Sequence, residues 1–314
     1  MYDLKTKCLK LTEEKIKSTY NEKVISGFGG FNGSYQLEDK IIVSSVSSVG
    51  YKARLALKNG YYRCIGQDIV NICANNVICS GAKPLYFLTN FHYGKFHPNI
   101  FESIMDGAIE AAKEISCPII DGNFSYSDYF DISGTMTGIT DKIVDVKTIC
   151  NGDVIIGLSS SGLHTFGFEL IEALLLNRYG LDHKFKELEQ NFGDSLFIPT
   201  KNYVNLILKL VESFEILGIA HVENHGIVKS LKKILPKNLG FTIEWGRWAK
   251  DTISTVAGNY GCPLPSSEIL KESFNLGIGM MIVVRPSQSE EILEWIRNYW
   301  LEGSPYKLGE MVFL

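Results

Sequence analysis

No stretch of this 314-residue chain approaches the ~20 consecutive apolar residues that a membrane-spanning helix needs. Charge of one sign is also scarce. The chain has 31 basic and 35 acidic residues and a net charge of −4, which gives no electrostatic reason to bind nucleic acid or an anionic membrane. Anionic small molecules stay possible, since a local pocket can oppose the global sign. No Cys-x-x-Cys pair occurs. The seven cysteines (Cys8, Cys64, Cys73, Cys79, Cys117, Cys150 and Cys262) are odd in number, so neither a zinc site nor a disulfide framework is expected. Most lie in apolar runs, where reduced thiols act as small hydrophobes. Met1 to Lys10 is polar and lysine-bearing, with no apolar segment of a secretory leader, so the expected compartment is the cytoplasm. Also missing are G-x-x-x-x-G-K-[ST], the G-x-S-x-G elbow, the kinase signature set and a G-x-G-x-x-G opening a helix after a strand. A P-loop, an α/β-hydrolase triad, a protein kinase and a nicotinamide site are therefore unsupported.

What is present is an ordinary globular chain, 45% hydrophobic and 21% charged, long enough for two cores. Residues 10–25 are charged and helix-compatible, and the glycine-rich loop Gly27-Phe28-Gly29-Gly30-Phe31-Asn32-Gly33-Ser34 follows. Strands are predicted at 41–43, 85–88, 118–120 and 130–140, with helices at 67–79 and 100–115. The turn Asn151-Gly152-Asp153 marks an expected boundary between a first domain, 1–150, and a second, 151–314. Beyond it, strands at 154–158, 277–284 and 307–314 alternate with helices at 165–177, 203–214 and 289–299. That rhythm argues α/β or α+β layers.

Four local clusters could carry chemistry. Backbone N–H groups of the glycine loop could cradle phosphate, or the loop could be a flexible turn. Ser44 to Lys52, read as a polar segment directly after a strand, could hold an anion through hydroxyls, Gly50 and Lys52, or be a solvated turn. Asn75-Asn76, followed by Gly81-Ala82-Lys83-Pro84, could present amides to a cleft, or be a plain helix end. His164 and His221 each follow a second-half strand and could move protons near neutral pH, or be hydrogen-bonded structural residues. His225 lies close to His221, but no third ligand at zinc spacing follows.

The order of these clusters resembles the aminoimidazole ribonucleotide synthetase (phosphoribosylformylglycinamidine cyclo-ligase) family. Gly27-Phe28-Gly29-Gly30-Phe31 looks like its N-terminal glycine loop. Val43 to Ala56 is similar to its S-G-T-D-G-V-G-T-K-x-x-L-A segment, and Asp68 with Gly81-Ala82-Lys83-Pro84 to its D-x-x-x-x-G-A-x-P region. Ser160-Ser161-Gly162-Leu163-His164 with Gly167, Gly218-Ile219-Ala220-His221 and Phe274-Asn275-Leu276-Gly277-Ile278-Gly279-Met280 match its S-S-G-x-H-S-N-G, second-histidine and F-N-x-G-x-G-M segments. The resemblance implies a two-domain fold, with an N-terminal sheet that pairs with a second copy in a barrel and a C-terminal α/β half. It also implies ATP near the glycine loop, magnesium, and phosphoryl transfer to a formyl oxygen before imidazole ring closure. Related superfamily members are selenophosphate synthetase, thiamine monophosphate kinase and a hydrogenase maturation protein. The implied catalytic residues are His164, His221 and Lys52. Gly27, Gly29, Gly30, Gly50, Asp68, Asn76 and Gly122 are the implied nucleotide-binding residues, and Asp68 is an implied metal ligand.

The family's carboxylates are largely replaced. Ser47 stands where the T-D-G turn has aspartate, and Asn76 where the D-x-x-x-x-G-A-x-P region opens with aspartate. Asp121 to Asp128 stands where G-G-E-T-A-E-M-P has two glutamates, and Glu223-Asn224-His225-Gly226 replaces T-G-G-G. Magnesium reaches proteins through one or two carboxylates and neutralises the transferred phosphoryl group. Losing one such electrostatic contact costs on the order of 3 kcal/mol of barrier. Two outcomes follow as expectations: a cyclo-ligase with an altered metal site, or a member that binds a nucleotide-like ligand or a partner without turnover. An enzyme of the superfamily with a different substrate is a third.

Overall fold

The computed structural model describes residues 11–94, 97–223, 226–261 and 266–314. The first half is built on β1 (Val24–Ser26), β2 (Gly33–Leu37), β3 (Lys40–Ser48), α1 (Tyr51–Lys58), α2 (Tyr62–Ile78), β4 (Lys83–Tyr93), α3 (Pro98–Glu114), β5 (Ile119–Tyr126) and β6 (Asp131–Thr140). Its strands form one six-stranded sheet in the order β1-β2-β3-β6-β4-β5. Only β4 and β5 run parallel, joined by the crossover helix α3. The second half carries β7 (Val154–Ser159), α4 (Val204–Ser213), β8 (Ile216–His221), α5 (Gly226–Lys232), β9 (Leu239–Ile243), α6 (Thr252–Tyr260), α7 (Ser267–Ser273), β10 (Ile278–Val284), α8 (Pro286–Tyr299) and β11 (Pro305–Phe313). Its five-stranded sheet, β8-β10-β7-β11-β9, is antiparallel throughout. The predicted rhythm of strands and helices therefore resolves as mixed α/β layers on mostly antiparallel sheets.

The boundaries differ from the predicted ones in three instructive places. Ser44 to Ser48 is strand, not a turn after one. β3 continues to Ser48, held in register by β6 from Ser44↔Thr137 to Ser48↔Ser133. Pairing to a long neighbour outweighs the weak strand preference of serine. The helix predicted at 165–177 starts only at Phe168, because Gly167 takes a positive φ, and it passes through a π turn at Glu172–Leu176. In the charged segment at 10–25, residues 11–17 are helical, and the chain becomes strand at Val24.

Helix α2 joins the halves. From Cys64 to Ile78 it is almost wholly buried, yet Asp68, Asn71 and Asn75 form a polar stripe at helical spacing. On another side its backbone touches α3. A Cβ added to Gly66 would lie 1.8 Å from the Ile104 carbonyl oxygen, and one added to Gly107 1.9 Å from that of Arg63. Only glycines permit that approach. The core is one continuous cluster running from Val43, Ile69 and Phe87 in the first half to Ile156, Ile219 and Ile282 in the second. Among the described cysteines, Cys64, Cys73, Cys79 and Cys117 are buried free thiols and Cys150 is exposed; Cys8 and Cys262 lie outside the described residues.

Candidate functional site

Each residue of the α2 stripe bonds to the segment 198–203 of the second half. Asp68 Oδ1 accepts from the Thr200 backbone N–H at 2.7 Å and its hydroxyl at 2.8 Å. Asn71 donates to the Thr200 carbonyl at 2.7 Å, and Asn75 to that of Lys201 at 2.9 Å. Asn75 Oδ1 in turn accepts from Tyr203 N–H at 3.1 Å. Asp68 Oδ2 meets the Lys52 ammonium at 2.8 Å, with both side chains wholly buried. Lys52 donates further to the Ile198 carbonyl at 2.7 Å and lies 5.6 Å from the Phe168 ring centroid. Burial pushes the Asp68 carboxyl up, against the Lys52 charge and the two Thr200 donors.

This corrects two expectations. Lys52 and Asp68 form a sealed internal pair tying α1, α2 and the 198–203 segment, so Lys52 does not face a ligand. Asp68 does not fit as a metal ligand or a nucleotide contact, since neither of its oxygens reaches solvent. Gly50 is the N-cap of α1 at φ +68, a backbone requirement. Gly122 lies on β5, at the edge of the sheet opposite the glycine loop, where an added Cβ would strike Thr89 at 2.8 Å. Within one copy it cannot act with Gly27, Gly29 and Gly30.

The two histidines do come together. His164 follows β7 and His221 ends β8, on strands that flank β10, and their ring centroids are 6.4 Å apart. Both are buried. His164 holds a positive φ of 62°, a conformation few non-glycine residues take and one that clusters at functional sites. Its Nε2 accepts from the backbone N–H groups of Ser161 and Lys201, both at 3.4 Å. The proton is thereby assigned to Nδ1, which has no partner among the described residues. His221 carries its proton on the same nitrogen, but there the proton is matched. Its Nδ1–H donates to Asn76 Oδ1 at 2.8 Å, leaving a bare Nε2 with no partner among the described residues. A donor and an acceptor, each buried and unmatched, thus stand on neighbouring rings. Burial lowers both pKa values, His221 to about 4 and His164 well below the ordinary range, so both rings are neutral at pH 7.

Asn76 is the centre of a second network. Its Nδ2 donates to Ser47 Oγ at 3.2 Å and to Glu223 Oε1 at 2.8 Å. Glu223 Oε2 pairs with the Lys233 ammonium, which also lies 4.3 Å from the Phe31 ring centroid. Burial pushes Glu223 up, but the Lys233 charge and the donors around it more than offset this and hold its carboxyl below the ordinary value. Asn32 joins the network to the glycine loop, donating to the Asn76 carbonyl at 2.6 Å. The loop itself borders a cavity of about 540 Å³, lined by Tyr20, Gly27 to Tyr35 and Ser44 to Val46, a size suited to a small ligand. Lys233 escaped the sequence reading. Nothing in its local sequence marks it, and only the fold places it beside Glu223 and Phe31. His225 and Asn224 lie outside the described residues.

Among the described residues of one copy, the carboxylates do not gather as magnesium ligands. Ser47, Asn76 and Asn123 are uncharged, and Asp68 is sealed. Asp121 and Asp128 are exposed, and Asp121 accepts from the adjacent Gly122 N–H at 2.8 Å. Glu223 is the carboxylate that reaches the network, and an ammonium already neutralises it. Among the described residues no group of three or more His, Cys, Asp or Glu gathers to hold an ion. Nor is any helix among them long and apolar enough to cross a membrane.

Two family profiles match the chain: "AIR synthase related protein, N-terminal domain" over residues 32–140, and the corresponding C-terminal domain over 151–312. The phosphoribosylformylglycinamidine cyclo-ligase of Thermoanaerobacter sp. (strain X514) is 33% identical over 319 residues, 98% of this chain and 94% of its own length. That of Bacillus mycoides (strain KBAB4) is 34% identical over 301 residues, 91% and 86% of the two chains. Among solved structures, a HypE–HypF complex chain aligns at TM-score 0.70 with 19% identity, covering 97% of this chain and 93% of that one. A thiamine monophosphate kinase from Aquifex aeolicus aligns at 0.68 with 14% identity, covering 95% and 92%. These likenesses in structure establish a shared fold.

Proposed function

Because the chain belongs to the AIR synthase related family, we propose that it binds a phosphorylated, nucleotide-like small molecule in its glycine-loop cavity without magnesium-dependent phosphoryl transfer. One observation carries this reading: Asn76, which stands where the family resemblance implies an aspartate, is a neutral amide bonded to Ser47, Glu223 and His221. Phosphoryl transfer draws nearly all its acceleration from positioning and charge neutralisation, so losing several anionic ligands removes the metal and most of the rate. The glycine-loop cavity and the histidine pair remain for binding. The relatives' ATP is the first ligand to try. The reading also takes residues 1–150 and 151–314 as the two domains, a second copy paired through the first sheet, and a cytoplasmic setting.

The test is complementation of a strain lacking phosphoribosylformylglycinamidine cyclo-ligase, together with purified-protein assays of ATP consumption with the amidine substrate. The expected result is no growth without purines and no substrate-dependent phosphate release. Growth, or phosphate release above background, would overturn the loss of turnover.

The second reading is an active cyclo-ligase. It is favoured by the histidine pair, whose unmatched donor and acceptor could position a polar substrate group, and by relatives of that name about one-third identical along the chain. The same assays decide between them.

A further inference from the structure

One charge in the Asn76 network is positive. Lys233 follows α5, and its ammonium lies between Glu223, which is bonded to Asn76, and the ring of Phe31, which lines the glycine-loop cavity. Its side chain is 29% exposed, whereas that of Lys52 is fully buried. A lysine ammonium carries three donors on a flexible four-carbon stem, and one carboxylate oxygen and one aromatic face leave donors to spare. Phe31 is a wall residue of that cavity, and the ammonium lies 4.3 Å from its ring centroid. We propose that Lys233 supplies the positive charge for a phosphate group in the glycine-loop cavity, so that this cleft takes phosphorylated ligands without a divalent cation.

This rests on the preceding reading that the cleft binds a phosphorylated ligand. In it, Glu223 parks the ammonium while the cavity is empty and gives it up to the phosphate. Glu223 keeps its bond from Asn76 throughout, so its charge is not left bare.

Calorimetric titration of the full chain with ATP, in chelator and in millimolar magnesium, tests it. The two affinities should agree within about threefold, where a metal-bridged site would differ by tenfold or more. Lys233→Met should weaken binding in chelator by about tenfold or more, Lys233→Arg should keep most of it, and Glu223→Gln should tighten it by removing the competing charge. Thermal melts of each variant confirm that it is folded. Three results would overturn the proposal. One is tenfold tighter binding with magnesium, abolished by Glu223→Gln, which makes Glu223 a metal ligand and leaves the preceding reading intact. Another is a folded Lys233→Met that binds as the parent does. The third is no ATP binding under either condition, which removes the preceding reading as well.

Discussion

Two of the lysine–carboxylate pairs in this molecule have opposite characters. Lys52 and Asp68 are both wholly buried, and the carboxylate has two further donors from Thr200. Lys233 and Glu223 are partly reachable, and each touches the cleft network on a different side. A sealed pair cannot trade partners, because removing one member strands the other in low dielectric. A pair at a cavity wall can exchange a carboxylate for an anion at little cost, since water screens both members. Both pairs join an ammonium to a carboxylate, and burial makes one pair a rivet and the other a candidate contact.

The contrast is broken most forcefully at the sealed pair. Lys52→Met should cost about 3–5 kcal/mol in urea unfolding, because Asp68 is left charged and buried. A matching Asp68→Leu in the same chain should return part of that. A loss below about 1 kcal/mol for Lys52→Met would show that the pair is not sealed.

The next effect is in pH. Both histidines are neutral in the fold and charge more readily when unfolded, so their contribution is present above pH 6.5 and is lost as pH falls through the folded-state values. For His221, whose pKa is lowered to about 4, the loss amounts to about 3 kcal/mol between pH 6.5 and pH 4. A Tm series over that window should drop for the parent and flatten for His221→Asn. Equal slopes would mean that other groups dominate.

Asn76→Asp sharpens the comparison from the cleft side. It puts two carboxylates side by side and removes the donor to Ser47 and Glu223, so it should lower stability by about 1–2 kcal/mol in chelator. Millimolar magnesium should restore part of this in the variant and nothing in the parent, which a shift in Tm reads directly. The smallest effect is Lys233→Met without ligand, at about 1 kcal/mol or less. A larger loss would make the second pair another rivet.

Much of the fold was legible in the residues themselves. The helix ending before Gly81 and Pro84, the apolar strands at Val154 and Ile278, and the paired histidines after β7 and β8 all follow from period and punctuation. The serines of β3 misled, because a hydroxyl-rich run has no strand signature of its own and depends on its partner β6. The site was half legible. Asn76 and the histidines announced themselves by position. The Asp68, Asn71 and Asn75 stripe looked like a helix interior interrupted by polar residues, and its purpose appears only when the segment 198–203 docks on it. Lys52 and Lys233 cannot be ranked from sequence, since what separates them is the wall of protein each one faces.

The glycine contact between α2 and α3 has a mechanical consequence. Two helices that meet backbone to backbone have no side-chain cushion on which to slide, so α2 cannot shift along α3 without a collision between main chains. The first half therefore offers its stripe of Asp68, Asn71 and Asn75 at a fixed height, as a keyed rail. The segment at 198–203 grips that rail from the other side. That segment ends at Tyr203, two residues past Lys201, whose backbone N–H rests on His164. The path of that segment therefore also fixes one of the two donors that hold the His164 ring.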